Sequence, residues 1–163
     1  MDELTFEVFY QKTARQLWLY VHRVSLDAAL TDDILQEAYF RLLRAPLKGM
    51  DDAQTRSYLY RIATNLLKDH WRKQKREQKT LAESEPQRSV TIDHAGRQDM
   101  EAAFEKLNHN ERSLLWLAYV EGIMHREIAQ ILNLSEASIR VLLFRARRKL
   151  AGILRSEERD TRR

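Results

Sequence analysis

Apolar residues recur at steps of three and four along most of this chain, and this periodicity constrains the fold more than any other feature. Such spacing places them on one side of an α-helix, whereas a half-buried strand needs strict alternation. The chain contains only two Pro and four Gly, too few for the many tight turns of an all-β protein. The sequence therefore predicts an all-α fold.

The first eighty residues contain three helical patterns. The second helix is predicted to start at a Thr31 cap, with Asp32 and Asp33 as acids of its first turn. The third is predicted to start near Thr55 and becomes strongly basic along its length. The residues predicted to be buried are Phe6, Tyr10, Thr13, Leu17, Val21 and Val24 in the first helix, Ile34, Leu35, Ala38, Tyr39, Leu42 and Leu43 in the second, and Leu59, Ile62, Ala63 and Leu66 in the third.

The periodicity disappears over residues 80–98, which are polar and include Pro86. A segment with nothing to bury is typical of a flexible linker. We therefore predict two small helical domains, residues 1–79 and 99–163, joined by this linker. In the second domain the pattern predicts helices over residues 101–107, 111–119, 125–132 and 136–154.

The last two of these helices form the sharpest local pattern. Asn133 lies in the short turn between them, where a left-handed backbone is needed and Asn tolerates one. Ser135 can cap the following helix, and the small Ala129 lies where the two helices would cross. This arrangement predicts a helix-turn-helix.

The outward face of the last helix is basic and includes an aromatic residue, Phe144. Arginine on such a face can bind phosphates or contact guanine edges. An ordinary helical hairpin with a solvated basic side is the alternative, but the turn, the cap and Phe144 together favour DNA binding. The residues predicted to contact DNA here are Ser138, Arg140, Val141, Phe144, Arg145, Arg147 and Arg148.

Several classes of function lack the residues that they need. There is no Cys, which excludes disulfides and thiolate zinc sites. The five His are scattered, and no H-E-x-x-H, Walker loop or Ser-His-Asp context is present. We therefore predict that the protein is not an enzyme and has no catalytic residue, cofactor or metal ion. The acidic start and the lack of a long apolar run predict a cytoplasmic protein without membrane contact of its own.

With these motifs in place, residues 4–150 resemble the extracytoplasmic-function (ECF) sigma factors, a group of bacterial RNA polymerase sigma factors. The resemblance rests on several motifs in the family's order. They are residues 32–39 and 58–65 in the first domain, and Leu107 with Glu111-Arg112, Glu121-Gly122, residues 127–129 and residues 144–147 in the second.

Some residues depart from the family's pattern. The Pro that usually follows the position of Leu107 is Asn108, and a commonly basic position is Leu142. Met124-His125 replaces Ser-Tyr, and Ala137-Ser138 replaces Gly-Thr. The family's preferences for minus-thirty-five bases are therefore not transferred to this chain.

The resemblance implies a role for each domain. The first would bind core RNA polymerase at the β′ clamp helices and read and melt the minus-ten element of promoter DNA, and its loop 45–56 would capture a flipped base. The second would read the minus-thirty-five element, with the polymerase β flap and an anti-sigma factor as further partners. The implied polymerase contacts are Asp33, Gln36, Glu37 and Tyr39, and the minus-ten contacts are Tyr58, Arg61, Asn65, Lys68, Asp69 and Arg72.

Aromatic residues of the third helix could stack on unpaired bases. The candidates are Tyr58, Tyr60 and Trp71, of which Tyr58 is the best, because Tyr60 also fits a core position. Fully extended, the linker could span roughly 60 Å, which exceeds the roughly 50 Å of one and a half duplex turns.

One alternative remains open at this point. A stand-alone helix-turn-helix regulator would bind promoter DNA without polymerase, but it leaves the acidic pattern of residues 32–37 unexplained.

Overall fold

Three long helices make up the first domain: α1 spans Glu3–Ser25, α2 spans Ala28–Arg44 and α3 spans Asp52–Thr80. The structure, a computed structural model, describes residues 1–80 and 99–163. All regular elements in these two ranges are helical, which confirms the predicted all-α fold.

Helix α1 begins where the Asp2 carboxylate accepts a hydrogen bond from the Thr5 N–H at 2.8 Å. It ends at Leu26, which is in the left-handed conformation with φ 58° and donates its N–H to the His22 carbonyl. The predicted stripe is correct from Thr13 onward. At the start of the helix Phe9 is the buried residue and Tyr10 is exposed.

The predicted start of α2 is wrong by one turn. Asp27 is the N-cap, and its carboxylate accepts the Leu30 N–H at 3.0 Å. Thr31 lies inside the helix, fully buried, with its hydroxyl donating to the Asp27 carbonyl at 2.7 Å. Asp and Thr are both good caps, so the order of the chain alone did not distinguish them.

Helix α3 starts at Asp52, three residues before the predicted position. Its buried face comprises Leu59, Tyr60, Ala63, Thr64 and Leu67, whereas the predicted Ile62 and Leu66 are half-buried. The Tyr20 and Thr64 hydroxyls are hydrogen-bonded at 2.8 Å, and the Tyr20 and Tyr60 rings stack with centroids 5.3 Å apart. Buried tyrosines with satisfied hydroxyls thus join α1 to α3.

Four helices make up the described part of the second domain. They are α4 (Asp99–Glu105), α5 (His109–Leu115), α6 (His125–Leu132) and α7 (Glu136–Thr161). Asn108 and Glu111 form a capping box at the start of α5. The predicted helix 111–119 is in fact α5 followed by a π-helical turn, Trp116–Val120.

The predicted helix-turn-helix is present as α6 and α7. Asn133 has φ 55° and ψ 50°, and the Leu134 N–H donates to the Ala129 carbonyl at 2.9 Å. Ser135 is the N-cap by position, but its side chain makes no capping bond; its carbonyl accepts the Ser138 hydroxyl at 2.8 Å. Helix α7 continues seven residues beyond the predicted end, Leu154, to Thr161.

The two helical groups pack against each other. Helix α5 contacts α1, α6 contacts α3, and α6 also contacts α7. The buried apolar residues of both groups form one continuous cluster. Thr80 is the last residue of α3, and the rest of the predicted linker lies outside the described residues. Within the described ranges, no helix combines the length and the apolar character that a membrane span requires.

Candidate nucleic-acid and protein interfaces

The outward face of α2 carries three of the four residues predicted to bind a protein partner. Asp33 and Gln36 are exposed. The Glu37 carboxylate accepts a hydrogen bond from Arg41 Nε at 2.7 Å, and both side chains are about half exposed. The face is therefore polar and acidic, and it is available to a partner.

Tyr39 corrects this prediction. Its side chain is buried, and its hydroxyl is hydrogen-bonded to that of Thr13 at 2.7 Å. Burial raises the pKa of Tyr39 to about 12, so the phenol stays neutral. Tyr39 holds α2 against α1 and does not contribute a surface contact.

Two apolar residues extend the exposed face of α2. Phe40 is 48% exposed and Leu43 46% exposed, and the Arg44 guanidinium lies 4.2 Å from the centroid of the Phe40 ring. The prediction that Leu43 is buried is therefore wrong, and the predicted contacts of α2 do not include Phe40. The position of Phe40, three residues after Glu37, could have indicated that it shares this face.

Along α3, four of the predicted DNA contacts form an exposed stripe. Its members are Arg61, Asn65, Asp69 and Arg72, and Asp69 pairs weakly with Arg72 at 3.6 Å. Further along α3, basic side chains continue to Lys79. Such a stripe offers cations for phosphates beside an amide and a carboxylate that can bind base edges.

Unlike the four residues of the exposed stripe, the Lys68 side chain is half-buried and hydrogen-bonded. Its ammonium donates to the Leu132 carbonyl of α6 at 2.6 Å. Burial, assisted by the nearby Arg72 charge, lowers the pKa of Lys68. Within the part of the chain that the structure describes, Lys68 is the one predicted contact on α3 that hydrogen-bonds to the second domain.

The aromatic candidates of α3 differ in exposure. Tyr60 is fully buried, and its hydroxyl donates to Glu121 at 2.9 Å. Trp71 stacks on His109 with ring centroids 3.9 Å apart. Tyr58 is half-buried and lines a cleft of about 570 Å³ between α3 and α6. Tyr58 therefore remains the best candidate for stacking on a base.

The outward face of α7 is as the sequence predicts. Phe144 is 51% exposed, with the Arg148 guanidinium 5.8 Å from its ring centroid. The exposed residues of this face are Arg140, Val141, Phe144, Arg145, Arg147 and Arg148. Ser138 is half-buried, and its hydroxyl already donates to the Ser135 carbonyl.

An apolar groove of about 430 Å³ lies beside the π-helical turn, lined by residues of the second domain and by Arg23 of α1. Tyr119 and Val120 are more than half exposed along it, and the half-buried Phe104 and Trp116 also line it. The groove was not predicted, because the sequence pattern of residues 111–119 indicates a regular helix and the π-helical turn replaces its end. Among the described residues, no cluster of three or more His, Asp or Glu is placed to hold a metal ion.

Comparisons with known proteins cover both halves of the chain. A family model described as Sigma-70 region 2 matches residues 9–77, and one described as Sigma-70, region 4 matches residues 97–150. The ECF RNA polymerase sigma factor SigM of Bacillus subtilis is 26% identical, over 92% of this chain and 95% of that protein. The SigX factor of the same species is 24% identical, over 97% and 89%.

A similar fold occurs among solved structures. The sigma factor RpoE from Bartonella quintana, in a co-crystal structure with the anti-sigma factor NepR, aligns with a TM-score of 0.74 and 19% identity. The alignment covers 93% of this chain and 97% of that one.

Proposed function

Because this chain belongs to the ECF group of the sigma-70 family and is an alternative sigma factor that directs transcription initiation, we propose how its surfaces divide that work. The first domain, residues 1–79, binds core RNA polymerase and reads and melts the minus-ten element. The second, residues 99–163, reads the minus-thirty-five element, and residues 80–98 link them. As a sigma factor it is a non-enzymatic regulator of the polymerase, and we place it in the cytoplasm, where the polymerase acts.

The observation that carries this proposal is the outward face of α7. It is the second helix of a helix-turn-helix, and its exposed side is formed by arginines around Phe144. In this motif the second helix enters the major groove and its side chains contact base edges. Arg140 and Arg147 are the residues that we assign to duplex DNA.

The exposed face of α2 is the surface that we assign to the polymerase β′ clamp helices. Asp33, Gln36 and Glu37 supply its polar part, and Phe40 and Leu43 supply an apolar part. A mixed surface of this kind is typical of a protein interface, where an apolar centre lies within a polar rim.

The exposed stripe of α3 is assigned to the opened minus-ten strand. Asn65 and Asp69 would contact base edges, Arg61 and Arg72 would hold phosphates, and Tyr58 would stack on an unpaired base. Each stack of this kind contributes about 1–3 kcal/mol. Binding to bases that are exposed only in opened DNA offsets the cost of strand separation.

The apolar groove beside the π-helical turn is assigned to the polymerase β flap. An anti-sigma factor is a further proposed partner, by analogy with the RpoE complex, whose fold this chain shares. An exposed apolar groove with a polar surround is a common docking surface for a helix of a partner.

Run-off transcription on genomic fragments with bacterial core polymerase tests the proposal. We expect defined start sites only when this protein is added, and we expect Arg140→Ala to reduce the signal. Arg159→Ala, an exposed arginine at the far end of α7, is the matched control. Tight, polymerase-independent binding at the same start sites would instead support a stand-alone regulator.

A further inference from the structure

The two helices assigned to DNA lie too close together in this structure to read two promoter elements. Helix α6 contacts both α3 and α7. Packed helices lie about 8–10 Å apart, so a single intervening helix leaves α3 and α7 roughly 20 Å apart. Two elements separated by one and a half turns of duplex are roughly 50 Å apart. The domains must therefore separate before both elements can be bound.

Polar contacts at the start of α3 join the domains in addition to the shared apolar cluster. The buried carboxylate of Glu121, just after the π-helical turn, accepts hydrogen bonds from Arg56 at 2.5 Å and from the Tyr60 hydroxyl at 2.9 Å. Glu127, on α6, accepts the Ser57 hydroxyl at 3.2 Å. We call these two carboxylates and their three partners the latch.

Beyond the latch, the domains are also joined by the Arg23–Glu101 ion pair at 3.1 Å, by the Trp71–His109 ring stack and by two contacts to backbone carbonyls. Lys68 donates to the Leu132 carbonyl, as described above, and Arg112 donates to the Val24 carbonyl through Nε at 3.2 Å and Nη2 at 2.8 Å. Because Lys68 is half-buried and donates one of its three N–H groups to α6, its ammonium is less available to a phosphate than the exposed Arg61 and Arg72. The cleft that contains Tyr58 is likewise walled on one side by α6 residues.

We propose that Glu121 and Glu127 form a self-inhibitory latch, which holds α6 over Lys68 and Tyr58 and keeps the chain in a closed state that does not bind opened DNA. The proposal rests on the proposed function, because it concerns the surface assigned to the minus-ten strand. No second protein is needed for this inhibition.

One residue of the latch, Arg56, also favours its opening. Arg56 keeps about a third of its side chain exposed, and its buried Nε–H has no acceptor in the described part of the chain. A buried donor without a partner weakens the state that contains it. Coupling between two states of this kind typically changes an affinity about 5- to 150-fold, and the apparent affinity falls with the open fraction.

The first experiment measures the distance between the domains. The chain has no Cys. A double variant with Gln16→Cys on α1 and Ser156→Cys on α7, both exposed positions, therefore carries spin labels at these two sites and at no others. Glu121→Ala is expected to lengthen the distance or broaden its distribution. The control, Glu158→Ala, removes an exposed carboxylate of α7 and should leave the distance as in the parent.

The second experiment measures binding of a labelled single-stranded oligonucleotide by the full chain without polymerase. Glu121→Ala is expected to raise the affinity about 5- to 150-fold, and Glu158→Ala to leave it within twofold. Glu127→Ala, expected to act in the same direction, replaces Glu121→Ala if that variant does not fold.

A third variant holds the domains closed. Ala53→Cys and Gln130→Cys lie on opposite sides of the cleft, on α3 and α6, and joining them with a short bismaleimide is expected to abolish oligonucleotide binding. The single Ala53→Cys variant, treated in the same way, is the control. An unchanged affinity in the latch variants, or full binding by the cross-linked protein, overturns the latch. A parent that gives no start sites with core polymerase, whatever its oligonucleotide affinity, overturns the proposed function instead.

Discussion

At the scale of single residues, Glu37 gives the most direct test of the polymerase contact. Among the described residues its side chain pairs with Arg41, one turn along the same exposed helix, and such a pair stabilises a fold by less than about 1 kcal/mol. We expect Glu37→Lys to leave the melting temperature almost unchanged but to abolish co-purification with core polymerase. Both can be measured on one preparation.

A matched control for this charge reversal is Glu7→Lys, since Glu7 is an exposed carboxylate of α1. This variant is expected to bind polymerase like the parent. If Glu37→Lys also binds like the parent, the assignment of α2 to the polymerase is wrong.

We expect His109 to make closure of the domains dependent on pH. Its ring stacks on Trp71, and burial, together with the charges of Arg112 and Lys68, lowers its pKa below the ordinary value near 6.5. The closed state therefore favours neutral His109. Its stability is fully present above pH 6.5 and is lost as the pH falls from there through the lowered pKa.

We accordingly expect the spin-label distance to increase between pH 7.5 and 5.5. His109→Phe keeps a ring against Trp71 but cannot be protonated, so this variant should lose most of the change. An equal response in parent and variant would assign the pH dependence to carboxylates instead.

At the scale of the elements, substitutions on α3 and on α7 should impair different steps of initiation. Arg140→Ala is expected to weaken binding of polymerase holoenzyme to duplex promoter DNA by about 1–3 kcal/mol, the range for one bidentate base contact. Asn65→Ala should retain most of its defect on DNA already opened by a mismatched bubble. Filter binding on duplex and bubble templates separates the two, and the reverse pattern would exchange the assignments of the helices.

Elements with strong local signals could be predicted from the sequence. The bounds of α6 and the left-handed Asn133 are as predicted, because a short amphipathic stripe and a turn residue are both encoded locally. The start of α2 was missed because Asp27 and Thr31 have equivalent capping chemistry. The π-helical turn was missed because Trp116–Val120 also fits a regular helix.

The candidate contacts were predicted less completely than the helices. The arginines of α7 are exposed as expected, since basic side chains almost always face water. No comparable rule predicts whether an aromatic residue is exposed. Tyr39 is buried and Phe40 is exposed, although they are adjacent. The packing of α1 on α2 decides which of the two rings is buried, and the sequence of α2 alone does not.

At the scale of the whole molecule, the closed state predicts a small particle. A compact chain of this length has a radius of gyration of about 15 Å, and two separated domains would give a larger value. Small-angle scattering of the parent at neutral pH should therefore give a value close to 15 Å, and Glu121→Ala should give a larger one. A parent radius equal to that of Glu121→Ala would show that the domains are already apart in solution.

The sequence does not predict the contact between the domains. Glu121 and Arg56 are 65 residues apart, and no periodicity or capping pattern links such distant polar residues. Each of them also fits an ordinary solvated position, which is the usual environment of a charged side chain.

The contact of α6 with α3 also makes the two ligands of the protein mutually dependent. The residues assigned to polymerase on α2 and those assigned to duplex on α7 lie on different helices. Yet a polymerase that engages both domains at separated positions selects the open state. A promoter that spans two elements selects the same state. By linkage, each then strengthens the binding of the other by the same factor. The closed contact therefore makes binding cooperative between two surfaces that need never meet.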